Sequence, residues 1–142
     1  MESVSHTATQ DVFLAGRYFN IIDDPILYTS DDSSSFSLED IDVNISVHSP
    51  TGAHKAADFK ETLMDMMEAQ KRFLGDANNT KSYDILLLLM SMEELRHFGG
   101  VQGALEHHTS TTVVFYEGID TAALKEYFCL LYTSDAADDS YR

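Results

Sequence analysis

Between Gln102 and Ser110 the chain reads QGALEHHTS, a glycine, a carboxylate and two adjacent imidazoles in one short run. Residues of these types can hold a metal, act as a general base, or grip a substrate. A metal needs side chains that converge on one point. His107 and His108 are neighbours in sequence. On a strand their side chains would leave opposite faces, and on a helix they would diverge by about 100°. A shared zinc ion is therefore disfavoured, and a surface or hydrogen-bonded histidine is the default at each position. Glu106 is the one carboxylate of the run.

The remaining candidates are weaker. His48, His54 and His97 show no ligand spacing and read as structural or exposed. Glu93-Glu94 reads as a solvated pair in a loop before the motif. A carboxylate pair for glycoside chemistry has no second member at a suitable spacing. Gly99, Gly100 and Gly103 do not make a phosphate loop, since neither G-K-[ST] nor G-x-G-x-x-G is present. Ser110 lacks a G-x-S-x-G setting, which disfavours a nucleophilic serine.

Bulk properties narrow the partners. The chain has 142 residues, enough for one modest domain, and a formal charge of −15 from 24 acidic and 9 basic residues. Phosphate binding needs a basic surface, so nucleic acid is disfavoured, as is an anionic membrane. One cysteine, Cys129, excludes an internal disulfide framework or a thiolate zinc cluster. The opening MESVSHTATQ has neither a basic start nor an apolar run and does not read as a signal peptide. The longest apolar run, Ile85 to Met90, is far too short to span a bilayer. The compartment stays open.

The elements that must position QGALEHHTS can be read from periodicity. Val12–Tyr18 has strand composition. Asp23-Asp24-Pro25 signals a turn, and Ser30–Ser35 a polar loop. Ile41–Val47 alternates apolar and polar residues, the pattern of a half-buried strand ended by Ser49-Pro50-Thr51-Gly52. Asp58–Leu74 carries Phe59, Leu63, Met66, Met67, Phe73 and Leu74 on one helical stripe. Asp58 suits the cap, with Glu61 three residues on, and Gly75 suits the stop. The methionines read as core. Tyr83–Met90 reads as a central strand covered on both faces. Ser91–Gly100 is a connection, Leu105 and Thr111–Tyr116 are strand-like, Glu117-Gly118 turns the chain, and Asp120 starts a helix. This order predicts an α+β fold with a mixed β-sheet, one long amphipathic helix and a late hairpin.

Cys129–Asp139, CLLYTSDAADD, breaks this pattern. It resembles the conceptual translation of a transposon-end sequencing adapter. On that reading residues 129–142 are a non-native tail, residues 12–128 form the partial domain, and residues 1–11 are a disordered or remnant N-terminal segment.

Gly103-Ala104-Leu105-Glu106-His107, followed by Ser110-Thr111-Thr112, resembles the motif of the glycyl aminopeptidase family of thermolysin-like zinc metallopeptidases, which often carry a PDZ domain downstream. Three upstream stretches are similar to family segments as well: Ile22–Tyr28, Ser46–Pro50 and Ala69–Gly75. The resemblance covers residues 12 to 128. It implies the N-terminal sheet half of a thermolysin-like catalytic domain. The Gly-Ala-x-Glu pattern is also similar to the edge-strand motif of the larger thermolysin-like aminopeptidases, which implies that Gly103, Ala104, Leu105, Glu106 and His107 belong to an edge strand that binds substrate, with Glu106 on the free α-amino group of a peptide and Gly103 and Ala104 letting its backbone approach closely.

In the family the motif is followed by a strand, a connection and a helix bearing H-E-x-x-H, whose histidines hold zinc. This sequence contains no H-E-x-x-H. The resemblance thus implies a truncated fragment with no cofactor of its own and zinc only in the full-length parent. Its missing partner would be the helical half of the same domain, and the chain alone would be inactive, marginally stable and prone to self-associate. Family members are commonly bacterial, and some are exported. The alternative expectation is a non-catalytic α+β module that binds extended peptides by strand addition.

Overall fold

The computed structural model describes residues 2–28, 32–74 and 80–138. Its centre is a mixed sheet of five strands: β3 (Asp32–Leu38), β4 (Ile41–His48), β5 (Ser82–Met90), β7 (Ser110–Tyr116) and β6 (Gly103–Glu106), in the spatial order β3-β4-β5-β7-β6. β4, β5 and β7 run parallel, while β3 and β6 are antiparallel to their neighbours and form the two edges. The parallel pairs require crossovers, which α2 (Ala56–Leu74) and the α3–β6 segment (α3, Met92–His97) supply. α4 (Thr121–Asp138) follows β7. A small second sheet pairs β1 (Glu2–His6) with β2 (Asp11–Leu14), and a short α1 (Tyr18–Asp23) ends ahead of Pro25. The expected α+β class and mixed sheet are those of the structure. β1 lies within the leading stretch of residues 1–11.

The core lies between α2, α4 and one face of the sheet. Val43, Ile45, Val47, Ile85, Leu87, Leu89 and Val113 meet Phe59, Leu63, Leu124 and Phe128 there. The alternation seen in Ile41–Val47 is the inward and outward alternation of β4. Met66 and Met67 are buried on the stripe of α2 as core residues, whereas Phe73 is 67% exposed. The stripe drifts off the sheet in the last turn, because a straight helix diverges from the twisted sheet beneath it. Gly75 lies outside the described residues.

Three local readings change. The helix begins two residues before Asp58. Asp58 therefore sits in the first turn, where its carboxylate accepts from Lys55 N at 2.9 Å, and Asp32 Oδ1 accepts from Ala56 N at 2.8 Å. A partner on another strand completes this helix end, which spacing within the helix cannot reveal.

The serine-rich stretch forms β3 from Asp32 on, not a loop. Pairing with β4 outweighs its composition: Phe36 and Leu38 enter the core and the alternate residues face outward. Finally, β5 is central but its two faces are buried unequally. Ile85, Leu87 and Leu89 are buried, while Leu86, Leu88 and Met90 on the other face are half-buried.

The connection after β5 also carries α3, opened by a capping box. Ser91 Oγ accepts from Glu94 N at 3.2 Å, and Ser91 N donates to Glu94 Oε2 at 2.8 Å. Hydrogen bonding to the carboxyl by the Ser91 side chain, and then by the Ser91 N–H, holds Glu94 below its ordinary value. Glu93 and Glu94 are both exposed, and Glu94 serves in addition as a capping residue. Ser91→Ala is expected to destabilise the fold by about 1 kcal/mol, the usual effect of losing such a cap. A urea titration with an unchanged midpoint would contradict the cap.

Candidate functional site

The stretch QGALEHHTS forms the outer hairpin of the sheet. β6 supplies Gly103–Glu106, and β7 begins at Ser110. The cross-strand partners are Gly103 with Val114, Ala104 with Val113, Leu105 with Thr112 and Glu106 with Thr111. Because side chains alternate, Ala104 and Glu106 lie on the helix-covered face with Val113 and Thr111, and Leu105 lies on the opposite face. Leu105 is 62% exposed, while Glu106 is half-buried, with Oε1 shielded from solvent. Among the described residues no strand pairs with the outer edge of β6.

Local features explain why β6 ends where it does. Gly103 has φ of 152°, a region that side-chain-bearing residues rarely adopt. Gln102 Oε1 accepts from Tyr116 N at 3.0 Å and takes over the pairing just before the strand. At the other end His107 N donates to Ser110 O at 2.8 Å and closes the turn. His107 and His108 therefore sit in a turn, neither on a strand nor on a helix. Beneath the hairpin, Tyr83 Oη and Thr111 Oγ1 are hydrogen-bonded at 2.6 Å. α4 supports it as well: the rings of Tyr127 and Phe115 meet edge to face at 4.6 Å, and Tyr127 Oη stands 4.0 Å from where a Cβ on Gly103 would lie.

The five expected site residues are contiguous on this hairpin and its turn. Their backbone forms an open border flanked by a half-buried carboxylate. Such an arrangement can pair with an extended chain and bind a cation beside it. Zinc does not fit the described residues, because no three His, Cys, Asp or Glu side chains among them are placed to share a metal.

A second polar cluster escaped the sequence reading. It sits where β4 and β7 end and α2 and α4 begin. His54 and Glu117 are both buried there. Glu117 Oε1 accepts from Ser49 Oγ at 2.5 Å, Thr51 N at 2.8 Å and Thr51 Oγ1 at 3.0 Å. The His54 ring bridges Glu117 O at 2.9 Å and Thr121 Oγ1 at 3.2 Å. Burial pushes the Glu117 carboxyl up, but the bonds from Ser49 and Thr51 together with nearby His54 outweigh it and leave the group below its ordinary value. Every contact is internal, so the cluster fastens four element ends together. No spacing signal marks it, since its members come from segments more than sixty residues apart.

No protein-family profile matches the chain, and no curated protein does. Among solved structures, an aminopeptidase N family protein from Idiomarina loihiensis is similar with a TM-score of 0.45 and 18% identity. The similarity covers 66% of this chain and 16% of that one, so this chain spans a small part of that protein's length. A likeness of that degree carries no conclusion about chemistry.

Proposed function

We propose that this chain is part of a zinc-dependent aminopeptidase. In this reading it carries the substrate-binding edge of the catalytic domain and lacks the metal helix, so it is inactive by itself. The observation that supports the reading is the position of Gly103–Glu106 on the outermost strand, with a half-buried carboxylate at its end. An extended peptide adds to β6 as a further strand, and main-chain hydrogen bonds hold it without regard to its side chains. Gly103 and Ala104 keep that border low. Glu106 binds the peptide's terminal ammonium, which confines recognition to the first residue. His107, in the adjoining turn, lies next to the same border and is assigned no proton transfer.

Catalysis itself needs groups outside the described residues. In the parent, H-E-x-x-H and a further glutamate would hold zinc, and zinc would activate the attacking water. Peptide N-termini are the proposed partners, with small first residues such as glycine or alanine as the proposed preference.

The test is amine-dependent binding. A short peptide with a free N-terminus is expected to bind at least about fivefold more tightly than its acetylated form, within the usual strength of one charge-assisted bond. Glu106→Gln is expected to remove the difference. Equal binding of both peptides to the unaltered chain would overturn the assignment. The non-catalytic peptide-binding module uses the same border, and the reading frame after Phe128 separates the two. A longer gene with H-E-x-x-H within a few tens of codons supports the peptidase, and a stop codon without it supports the module.

A further inference from the structure

On the sheet face opposite the helices a cleft of about 250 Å3 opens. Ser46, Asp84, Leu86 and Ser110 form its floor, and Phe13 and residues 24–27 form the facing wall. Cross-strand pairing sets the floor: Ser46 lies beside Leu86 on β4 and β5, and Asp84 beside Ser110 on β5 and β7. Two carboxylates, Asp84 and Asp24, line the space, and among the described residues no lysine or arginine does. Asn44 Nδ2 donates to Asp84 Oδ1 at 2.8 Å, which fixes the orientation of that carboxylate.

Ser110 adds an independent observation. It is 5% exposed, it belongs to the floor, and its hydroxyl has no hydrogen-bond partner among the described residues. A buried hydroxyl without a partner is costly, and such groups mark places where a ligand or water completes the bonding. The rest of the lining is Thr109 and the apolar residues Leu86, Phe13, Pro25, Ile26 and Leu27. The volume falls below the roughly 300–1,000 Å3 of sites for drug-sized ligands, so the occupant is small.

We infer that this cleft binds a small organic ammonium ion with a short apolar body. The ammonium faces Asp84 and Asp24, and the Ser110 hydroxyl accepts one of its hydrogens. The apolar body lies against Leu86 and Phe13. Charge-assisted bonds from a cation to carboxylates are stronger than neutral ones, while an anion meets repulsion from both. The site does not depend on the reading of β6, because Glu106 belongs to the other face of the sheet.

Calorimetry on the full chain tests the inference with phenylpropylamine, phenylpropanol and phenylpropionate as matched probes. The amine is expected to bind at least about tenfold more tightly than the alcohol, and the acid not measurably. Asp84→Asn is expected to abolish the preference. Because Asp84 also holds Asn44, Asp24→Asn on the facing wall provides a second variant that leaves the sheet intact. Glu106→Gln is expected to keep the preference, which separates this site from the edge strand. Amide chemical-shift changes should fall on residues 24–27 and around Ser110. Equal affinity for amine and alcohol overturns the inference. So does a preference that survives both aspartate variants, or shift changes confined to β6.

Discussion

Replacing Glu117 with alanine is expected to destabilise the protein by about 2–4 kcal/mol, because three donors lose one acceptor in a buried junction. Ser49 Oγ, Thr51 N and Thr51 Oγ1 all point at Glu117 Oε1. Removing the carboxylate leaves those donors facing a void. It also loosens the end of β4 against the start of α4, where His54 spans Glu117 O and Thr121 Oγ1. Glu117→Gln keeps an acceptor of the same shape and is expected to cost about 1 kcal/mol, the difference between a charged and a neutral acceptor.

The pH dependence separates these variants further. The folded-state carboxyl of Glu117 lies below its ordinary value of 4.5, burial being outweighed by the bonds from Ser49 and Thr51 and by His54. A depressed folded value means that the unfolded chain takes up the proton first. The stabilisation is therefore complete above the unfolded value and is lost as pH falls through the folded one. Urea midpoints at neutral pH and near pH 3 should show the unaltered protein losing more stability than Glu117→Gln. Identical losses would mean that the carboxylate carries no charge-dependent role.

The second large effect lies at Phe128. This residue is 1% exposed and packs edge to face with Phe59 at 6.0 Å, joining α4 to α2 and to the sheet. Phe128→Ala is expected to cost about 3–5 kcal/mol, the range for deleting a buried phenylalanine. Domains of this kind have total stabilities of about 5–15 kcal/mol, so the loss consumes much of the margin. The melting temperature should fall by at least about 10 °C, whereas Phe128→Leu should cost under about 1.5 kcal/mol.

The loss should also reach β6, because the neighbouring Tyr127 ring rests on Phe115 beneath the hairpin. Peptide binding at the border is expected to weaken in the alanine variant even at temperatures where it stays folded. An alanine variant that melts within a few degrees of the unaltered protein would show that α4 does not seal the core.

Much of the fold was legible because periodicity is local. Ile41–Val47 carries its inward and outward alternation in the order of its residues, and Phe59, Leu63, Met66 and Met67 repeat at the pitch of a helix. The Glu117-Gly118 turn needs only neighbours: Ile119 N donates to Tyr116 O at 3.1 Å. Two stretches misled. Asp32–Ser35 looked like a loop, and Ser91–Gly100 looked like an uninterrupted connection although α3 starts inside it at a capping box. In the first, pairing with β4 overrode composition. In the second, the S-x-x-E signature at Ser91 and Glu94 marks the start of α3. The backbone of α4 continues from Phe128 to Asp138, so no break in the helix marks the change in sequence character at Cys129.

For the candidate site, sequence alone determined the residue types and their order: small residues at Gly103 and Ala104, then a carboxylate at Glu106, ahead of a strand. Only the tertiary structure decided that β6 is the outermost strand, that Glu106 turns to the helix-covered face, and that the histidines fall in a turn. It alone brought His54 to Glu117, and Asp84 and Ser110 opposite residues 24–27. The physical reason is the range of the forces involved. Propensity and periodicity act over a few residues, whereas sheet order and polar junctions depend on contacts between segments that meet only after the chain has collapsed.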